Sequence, residues 1–489
     1  MDVNYKFKTE PYQHQREALG RSITQQNFGF FMEMGAGKSK VLIDTIATLA
    51  NEGEIDFALI IAPKGVYGNW IRKEIPEHFS DDVAHRVIQW YANPNKTQEA
   101  EMSALREPRP GVLTIFVMNV EAFSTPKGVK AGEWIARKYG ARGLIGIDES
   151  TTIKNPKAKR TKSLCKISKG FRYRRLLTGS PVTKNPLDIY AQAAFLDPNL
   201  LGYDSYFAFQ ARYAILKKRT MGAHSFQQIV GYRNIDELSQ RISRWSYRVL
   251  KEECLDLPEK IYTTRSVPLT PDQIKYYNEL RNDAFTFVEE GGLVTAQEVI
   301  TKMLRMQQVL AGHLKNDDHE MIDIPTRRID TVLECIEETD GKVILWSRFR
   351  YEMKALKDAL EKAHGPGTAA MFYGDTPTSE RQEIVRRFQD PNDPLRFFVS
   401  NKTGAYGITL TAANTVIYVS NDFDLETRVQ SEDRAHRIGQ RKPVTYIDLI
   451  ADNTIDERIV QALRNKMVMS AAVLGEEARE WLKLTPKKS

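Results

Sequence analysis

Lys38 and Ser39 follow two glycines, Gly35 and Gly37, that flank Ala36 in the run FFMEMGAGKSK at 30–40. Backbone N–H groups approach a polyphosphate closely only where no Cβ intervenes, which glycines allow. A triphosphate also needs a cation on its β/γ oxygens and a hydroxyl on Mg²⁺, and Lys38 and Ser39 supply both. Met32 stands where the strict pattern has its first glycine, so an ordinary loop is the competing reading unless distant residues complete the chemistry. Asp148 and Glu149 do so, closing the apolar run GLIGIDE at 143–149. Asp148 suits Mg²⁺, usually through water, and Glu149 suits orientation and deprotonation of an attacking water, because phosphoryl transfer is mainly positioning and charge neutralisation. By itself such a pair is as readily a helix cap; after a phosphate loop it makes an NTPase the expected activity. Arg434 and Arg437, in QSEDRAHRIGQ at 430–440, are three apart and expected on one helical face, offering two guanidiniums to a γ-phosphate. Glu432 and Asp433 beside them leave a salt-bridged surface helix as the alternative. Gln13, in EPYQHQ at 10–15, has an amide that can donate to and accept from an adenine edge, although an exposed glutamine before a helix usually does nothing.

These residues need strands that end together. The glycine turn is entered by an apolar, strand-like run and left by a helix from 39 to about 52, with Val41, Leu42, Ile46 and Leu49 on one face and its positive end toward the anion. Continuous apolar runs at 56–63, 112–119, 143–149 and 174–177 read as strands buried on both faces, with an amphipathic helix at 67–79. This alternation predicts α/β architecture, a doubly wound parallel sheet with ligands beyond the carboxyl ends of its strands. The last of these strands runs into TGSP at 178–181, whose hydroxyls could link the site to the basic stretch just before it. Between 198 and 327 the pattern turns to amphipathic helices, including 242–251 and 296–314, read as helical protrusions and a linker punctuated by Pro258, Pro268 and Pro271. A second alternating block has strands at 342–347, 369–373, 396–400, 416–420 and 444–449. It has helices from 351 and at 379–388, the latter with a Ser379/Gln382 capping box. The expected domains are 1–198, 199–327 and 328–489.

With 489 residues, 42% hydrophobic and 27% charged, the chain is expected to be soluble and to hold at least two domains. No apolar run reaches the roughly 18 residues a membrane span needs. The N-terminal residues do not resemble a signal peptide, and Cys165, Cys254 and Cys335 are too far apart for a structural zinc, which suits a reducing interior. Net charge is +7, yet residues 154–175 alone carry ten Lys or Arg and no Asp or Glu. A solvated basic face is the plain reading, but crowded like charges repel unless an anion lies against them. Lys154, Lys157, Lys159, Arg160 and Lys162 are therefore candidates for DNA contact.

Taken in order, these stretches resemble the motif series of superfamily-two helicase-related ATPases, specifically the Swi/Snf-like DNA translocases. MGAGKS resembles motif I, IIAPKGVYGNW motif Ia, IDESTTIKN the box written DEAHxxKN, LLTGSPV motif III, TGAYGITLTAANTVI motif V and QSEDRAHRIGQ motif VI. The resemblance covers residues 11–458. It implies two RecA-like lobes with ATP between them, hydrolysis coupled to stepping along double-stranded DNA, and ATP with Mg²⁺ as cofactors. It implies Gln13 as adenine reader, Gly35, Ala36, Gly37, Lys38 and Ser39 around phosphate, Ser39 and Asp148 on metal, Glu149 on water, and Arg434 and Arg437 as arginine fingers. Thr151 replaces the histidine of DEAH, so contact between motifs II and III is expected to differ. Thr409 replaces an asparagine common in motif V, and Phe423-Asp424-Leu425 stands where many relatives have Trp-Asn-Pro. About fifty residues after motif VI leave no room for bromodomain-like or chromodomain-like modules, so a stripped-down, divergent motor is expected. Its expected place is a bacterial or viral-host cytoplasm, or a nucleus if the source is eukaryotic. A strand-separating helicase or fork remodeller shares every motif; a DNA-binding scaffold with a decayed ATPase is the third reading.

Overall fold

A strand apolar on both faces must lie inside a sheet covered by helices, and the predicted apolar runs take that place. The computed structural model describes residues 5–221, 224–289, 296–315, 320–405 and 408–474. These form two compact units, one made by the chain up to Leu216 with Ile229–Asp256, the other centred on Leu257–Val468.

In the first unit the strands are β1 (Asn27–Met32), β2 (Phe57–Ala62), β3 (His85–Gln89), β4 (Leu113–Asn119), β5 (Gly143–Asp148) and β6 (Tyr173–Leu177). The last strand of this unit is β9 (Ser246–Val249); before it comes a separate hairpin, β7 (Ala214–Met221) and β8 (His224–Tyr232), of which Lys217–Gln228 groups with the second unit. The sheet is parallel throughout, in the order β3-β4-β2-β5-β6-β1-β9. Successive side chains of β2 enter opposite cores. Phe57, Leu59 and Ile61 join Phe116, Ile145 and Leu176, while Ala58, Ile60 and Ala62 join Ile115, Leu144 and Leu177. The helix Lys38–Asn51 packs Val41, Leu42, Ile46 and Leu49 into the second core. Register sets Phe30 level with Leu177 and Leu177 level with Asp148. The phosphate loop at the end of β1 and the carboxylates at the end of β5 therefore leave the same edge, two strand spacings or about 10 Å apart.

In the second unit β10 (Lys260–Ser266) is followed by a small antiparallel pair, β11 (His313–Lys315) and β12 (Met321–Asp323). Then come β13 (Lys342–Trp346), β14 (Ala369–Phe372), β15 (Phe397–Ser400), β16 (Ala413–Tyr418) and β17 (Val444–Ile450). Its parallel sheet has the order β10-β17-β16-β13-β15-β14, with apolar clusters on both faces. Two α/β lobes with parallel sheets are thus the fold that the alternation of elements predicts.

Several expected elements are redrawn. The helix expected over 242–251 is the end of a helix Ile235–Ser243 followed by β9. Tyr247 and Val249 enter the second core while Trp245, just before the strand, enters the first, and the segment pairs in parallel with the edge of β1 instead of continuing the helix. Residues 199–327 are consequently not purely helical: they hold the hairpin, β9 of the first sheet and β10 of the second. The helix Thr378–Gln389 starts one residue before Ser379, with Pro377 at its N-cap and no side-chain cap bond, so the expected capping box does not form. The helix expected at 67–79 contains a π-helical segment, Trp70–Glu74. Tyr406 and Gly407 of motif V, the first four residues and the last fifteen lie outside the described residues. Among the described residues no helix is long and apolar enough to cross a membrane.

Candidate functional site

The turn after β1 is built on backbone that only glycine adopts easily. Gly35 and Gly37 sit at φ 84° and 83°, and Gly37 is the N-cap of the helix Lys38–Asn51. A Cβ on Gly37 would lie 2.1 Å from Gln15 Nε2, and one on Gly35 would lie 3.2 Å from Lys251 Cε. Gln15 accepts from Tyr12 N at 3.0 Å and donates to Ala36 O at 3.1 Å, and His14 Nε2 lies 2.8 Å from the same carbonyl. The phosphate loop is thus held from outside by the helix Gln13–Ile23. Gln13 itself is exposed, and the residue seated on the loop is Gln15. Lys38 is buried and donates to Glu33 O at 3.4 Å. Lys251, buried just past β9, donates its backbone N–H to Glu33 Oε2 at 3.0 Å.

Beyond β5, both oxygens of Asp148 are engaged. Trp70 Nε1 donates to Oδ2 at 3.0 Å and the Glu149 N–H donates to Oδ1 at 3.0 Å. Glu149 takes a left-handed conformation, φ 49°, which a non-glycine residue adopts only when its surroundings enforce it, and such sites concentrate where chemistry is done. Burial pushes the Asp148 carboxyl up, while the nearby Lys38 ammonium pulls it down. Glu74, at the other end of the π segment from Trp70, hydrogen-bonds Ser39, and burial with the Asp148 charge pushes its carboxyl up. One five-residue π segment therefore touches Asp148 at its start and Ser39 at its end, and such segments often mark functional sites. Hydroxyl and carboxylate oxygens from Ser39, Asp148 and Glu74, beside a cradle that any Cβ would fill, are the hard donors Mg²⁺ takes; the residues fit a magnesium nucleotide.

The replacement of the DEAH histidine by Thr151 does not cut motif II off from motif III. Ser150 Oγ donates to Gln192 Oε1 at 2.7 Å, and Gln192 Nε2 donates to Pro181 O at 2.7 Å. Lys154 adds a second tie, donating to Thr183 Oγ1 at 2.7 Å. Arg248 from β9 donates to both Phe31 O and Gly179 O at 2.9 Å, joining motif III to the strand that carries the phosphate loop.

In the second lobe the helix Leu425–Ala435 ends before Arg437, and His436 is a non-helical C-cap. Arg434 and Arg437 therefore do not share the helical face expected for them. Arg434 is buried, donating to Gln430 O and Ile408 O at 2.9 Å, whereas Arg437 is half-buried beyond the helix end. Gln440 donates to Thr411 O at 3.2 Å and Ala413 O at 2.8 Å, so motif VI is stitched to motif V. Arg428, which sequence reasoning passes over, is buried against Asp448, Glu432 and the face of Tyr418.

The ten basic residues of 154–175 divide by role. Arg175 is fully buried, donating to the carbonyls of Ser22, Gln25 and Gln26 at 2.8–2.9 Å; burial pushes its guanidinium down to about 9. Arg174 holds Ser168 O, Lys166 pairs with Glu133 and Arg172 with Glu54. The crowding of charge inferred from sequence is therefore relieved in part by this chain's own carbonyls and carboxylates. Lys157, Lys159 and Lys162 are exposed and Arg160 half-buried, around the start of the helix Lys159–Ser168.

Trp70, Glu74, Gln15, Gln192 and Lys251 are missed by sequence reasoning. Motif Ia contains Trp70, with Glu74 four residues on, and is the one signal that points at two of them.

A family model described as the SNF2-related domain matches residues 14–317, and one described as the Helicase conserved C-terminal domain matches residues 327–439. An uncharacterized ATP-dependent helicase of Mycoplasma genitalium is 27% identical over 98% of this chain and 43% of its own length. The putative ATP-dependent helicase/translocase YwqA of Bacillus subtilis is 25% identical over 97% of this chain and 50% of its own. The chain thus spans half or less of the length of these curated relatives. The Sulfolobus solfataricus SWI2/SNF2 ATPase core in complex with dsDNA covers 98% of this chain at 24% identity, with a TM-score of 0.41.

Proposed function

Because the chain belongs to the SNF2-related family and carries a helicase conserved C-terminal domain, as helicase-family ATPases do, we propose that it hydrolyses ATP with Mg²⁺ to move along double-stranded DNA. The observation that carries the hydrolytic half is the meeting of Lys38 and Ser39 with Asp148 and Glu149 at one sheet edge, Asp148 being fixed by Trp70. When bound with the nucleotide, Mg²⁺ would supply neutralisation of the phosphate charge. Gly35, Ala36 and Gly37 present backbone N–H groups to the phosphates, and Lys38 leaves Glu33 O to place its ammonium on them. Ser39 and Asp148 would hold the metal, with Glu74 orienting the Ser39 hydroxyl. Glu149 orients the attacking water and takes its proton. Arg437 presents its guanidinium to the γ-phosphate; Arg434, anchored on backbone carbonyls, keeps motif V in place beside it. Gln13 is placed to read adenine only if the first turn of its helix meets the base.

Support for the DNA half comes from Lys157, Lys159, Arg160 and Lys162, whose charges no carboxylate of the described residues neutralises, and from the bond of Lys154 to Thr183, the residue that follows motif III. Phosphate contacts of this kind are independent of sequence and salt-sensitive. Lys38→Ala and Glu149→Gln are expected to lower the hydrolysis rate by at least about 10²-fold, with DNA binding retained in a filter or anisotropy assay. Normal turnover in either variant would remove the site assignment. Release of a labelled strand from a duplex, driven by ATP, would instead favour a strand-separating enzyme.

A further inference from the structure

The hairpin β7–β8 stands outside both main sheets, and its root and its arm are built differently. At the root, Glu237 accepts from Tyr213 at 3.0 Å, from Arg212 Nε at 3.0 Å and from Arg241 Nε at 3.1 Å. Arg233 N donates to Tyr213 O at 3.0 Å and Asn234 Nδ2 to Arg212 O at 2.9 Å, closing the base of the two strands. Tyr213 is fully buried there. The arm beyond that base is bare. Lys217, Lys218 and Arg219 are exposed, as are Phe226 and Val230, each at 49%. From 205 to 235 the chain has no Asp or Glu, and among the described residues none of the three arm cations is in an ion pair. Arg219 instead donates to Gln228 across the strands at 2.9 Å.

An isolated two-stranded arm is marginal in water, and exposed edges invite pairing with other chains unless charge prevents it. Here the charge is of one sign only, and it accompanies an aromatic ring. We propose that this arm is a second DNA-contacting element, Lys217, Lys218 and Arg219 lying against backbone phosphates and Phe226 against the sugar beside them. Charge complementarity selects a polyanion, and the exposed Phe226 ring gives the arm an apolar face for the sugar edge between phosphates. The inference rests on the reading of the chain as a DNA motor and adds to it an element that the sequence analysis reads as helical protrusion.

The test is binding of a fluorescent DNA duplex across a salt series by the parent and by the triple variant Lys217→Gln, Lys218→Gln, Arg219→Gln, with melting temperature as the control on folding. Binding is expected to weaken about tenfold or more, and the slope of log affinity against log salt to flatten by about 2–3. A parent that binds with a variant of equal affinity and slope overturns the arm and leaves the motor reading standing. A parent that binds no DNA at low salt overturns both. Should the triple variant melt early, Lys218→Gln alone, at an exposed side chain, is expected to flatten the slope by about one, and an unchanged slope overturns the arm.

Discussion

Trp70 donates its indole N–H to a carboxylate 78 residues further along the chain, and that bond orients Asp148, the proposed metal ligand. Trp70→Phe keeps a ring in the buried site and removes the donor. A hydrogen bond to a charged group contributes about 1.5–3 kcal/mol, so kcat is expected to fall about tenfold or more, with the Mg²⁺ midpoint raised and KM for ATP little changed. Equal kcat and Mg²⁺ midpoint in parent and variant would mean that Asp148 does not depend on the indole. Lys38, Ser39, Asp148 and Glu149 are legible in the sequence because each lies in a short pattern whose spacing is itself the chemistry. Trp70, Gln15 and Gln192 are not, because each works through a partner that only the fold brings near. The paired geometry of Arg434 and Arg437 is misread for a local reason: residue spacing gives a shared face only while the helix lasts, and it stops at Ala435.

Among elements, the end of the helix Gln13–Ile23 shows how a basic residue of the 154–175 stretch can be spent on structure. The Arg175 guanidinium donates to Ser22 O in the last turn of that helix and to Gln25 O and Gln26 O in the turn that follows it. Ser22 O and Gln26 O also accept from the backbone N–H groups of Gln25 and Arg174, so Arg175→Met would take the side-chain donor from Gln25 O and the second donor from the other two, and a loss of about 1–3 kcal/mol is expected, read as a lower melting temperature. An unchanged melting temperature would mean that water reaches those carbonyls. The helix Lys38–Asn51 holds a buried pair, Lys40 with Asp44 at 2.9 Å. Burial pushes the Asp44 carboxyl up to about 6, against the pull of Lys40. A carboxyl raised above its unfolded value adds stability that is complete below about pH 4 and is lost as pH rises through about 6. The stability of Asp44→Asn relative to the parent is thus expected to improve between pH 4 and pH 7 by on the order of 1–2 kcal/mol; a constant difference across that range would contradict it. Strand and helix alternation is legible because runs buried on both faces leave a plain apolar signature. β9 is not, since four residues are too few for a period of two to outweigh the helical pattern around them.

For the molecule as a whole, net charge of +7 conceals a division between basic residues that hold the fold and those that face solvent. Composition shows where charge concentrates, but which part stays open is settled only when Glu54, Glu133 and backbone carbonyls have taken their share. Replacing Lys157, Lys159, Arg160 and Lys162 by Gln is expected to weaken duplex binding and flatten its salt slope by about 3–4; an unchanged slope would move the DNA path elsewhere. The motif series reads through to two lobes because each motif sits at a strand end or helix start, whereas the content of 199–327 is hidden by helical periodicity that runs into strands of both sheets. The most direct test is steady-state ATP hydrolysis by the purified protein at one moderate salt concentration, with no nucleic acid, single-stranded DNA, blunt duplex and RNA in turn. A double-strand motor is expected to be strongly stimulated by the blunt duplex and little by the others. Turnover indifferent to the duplex, or raised only by single strands, would contradict it.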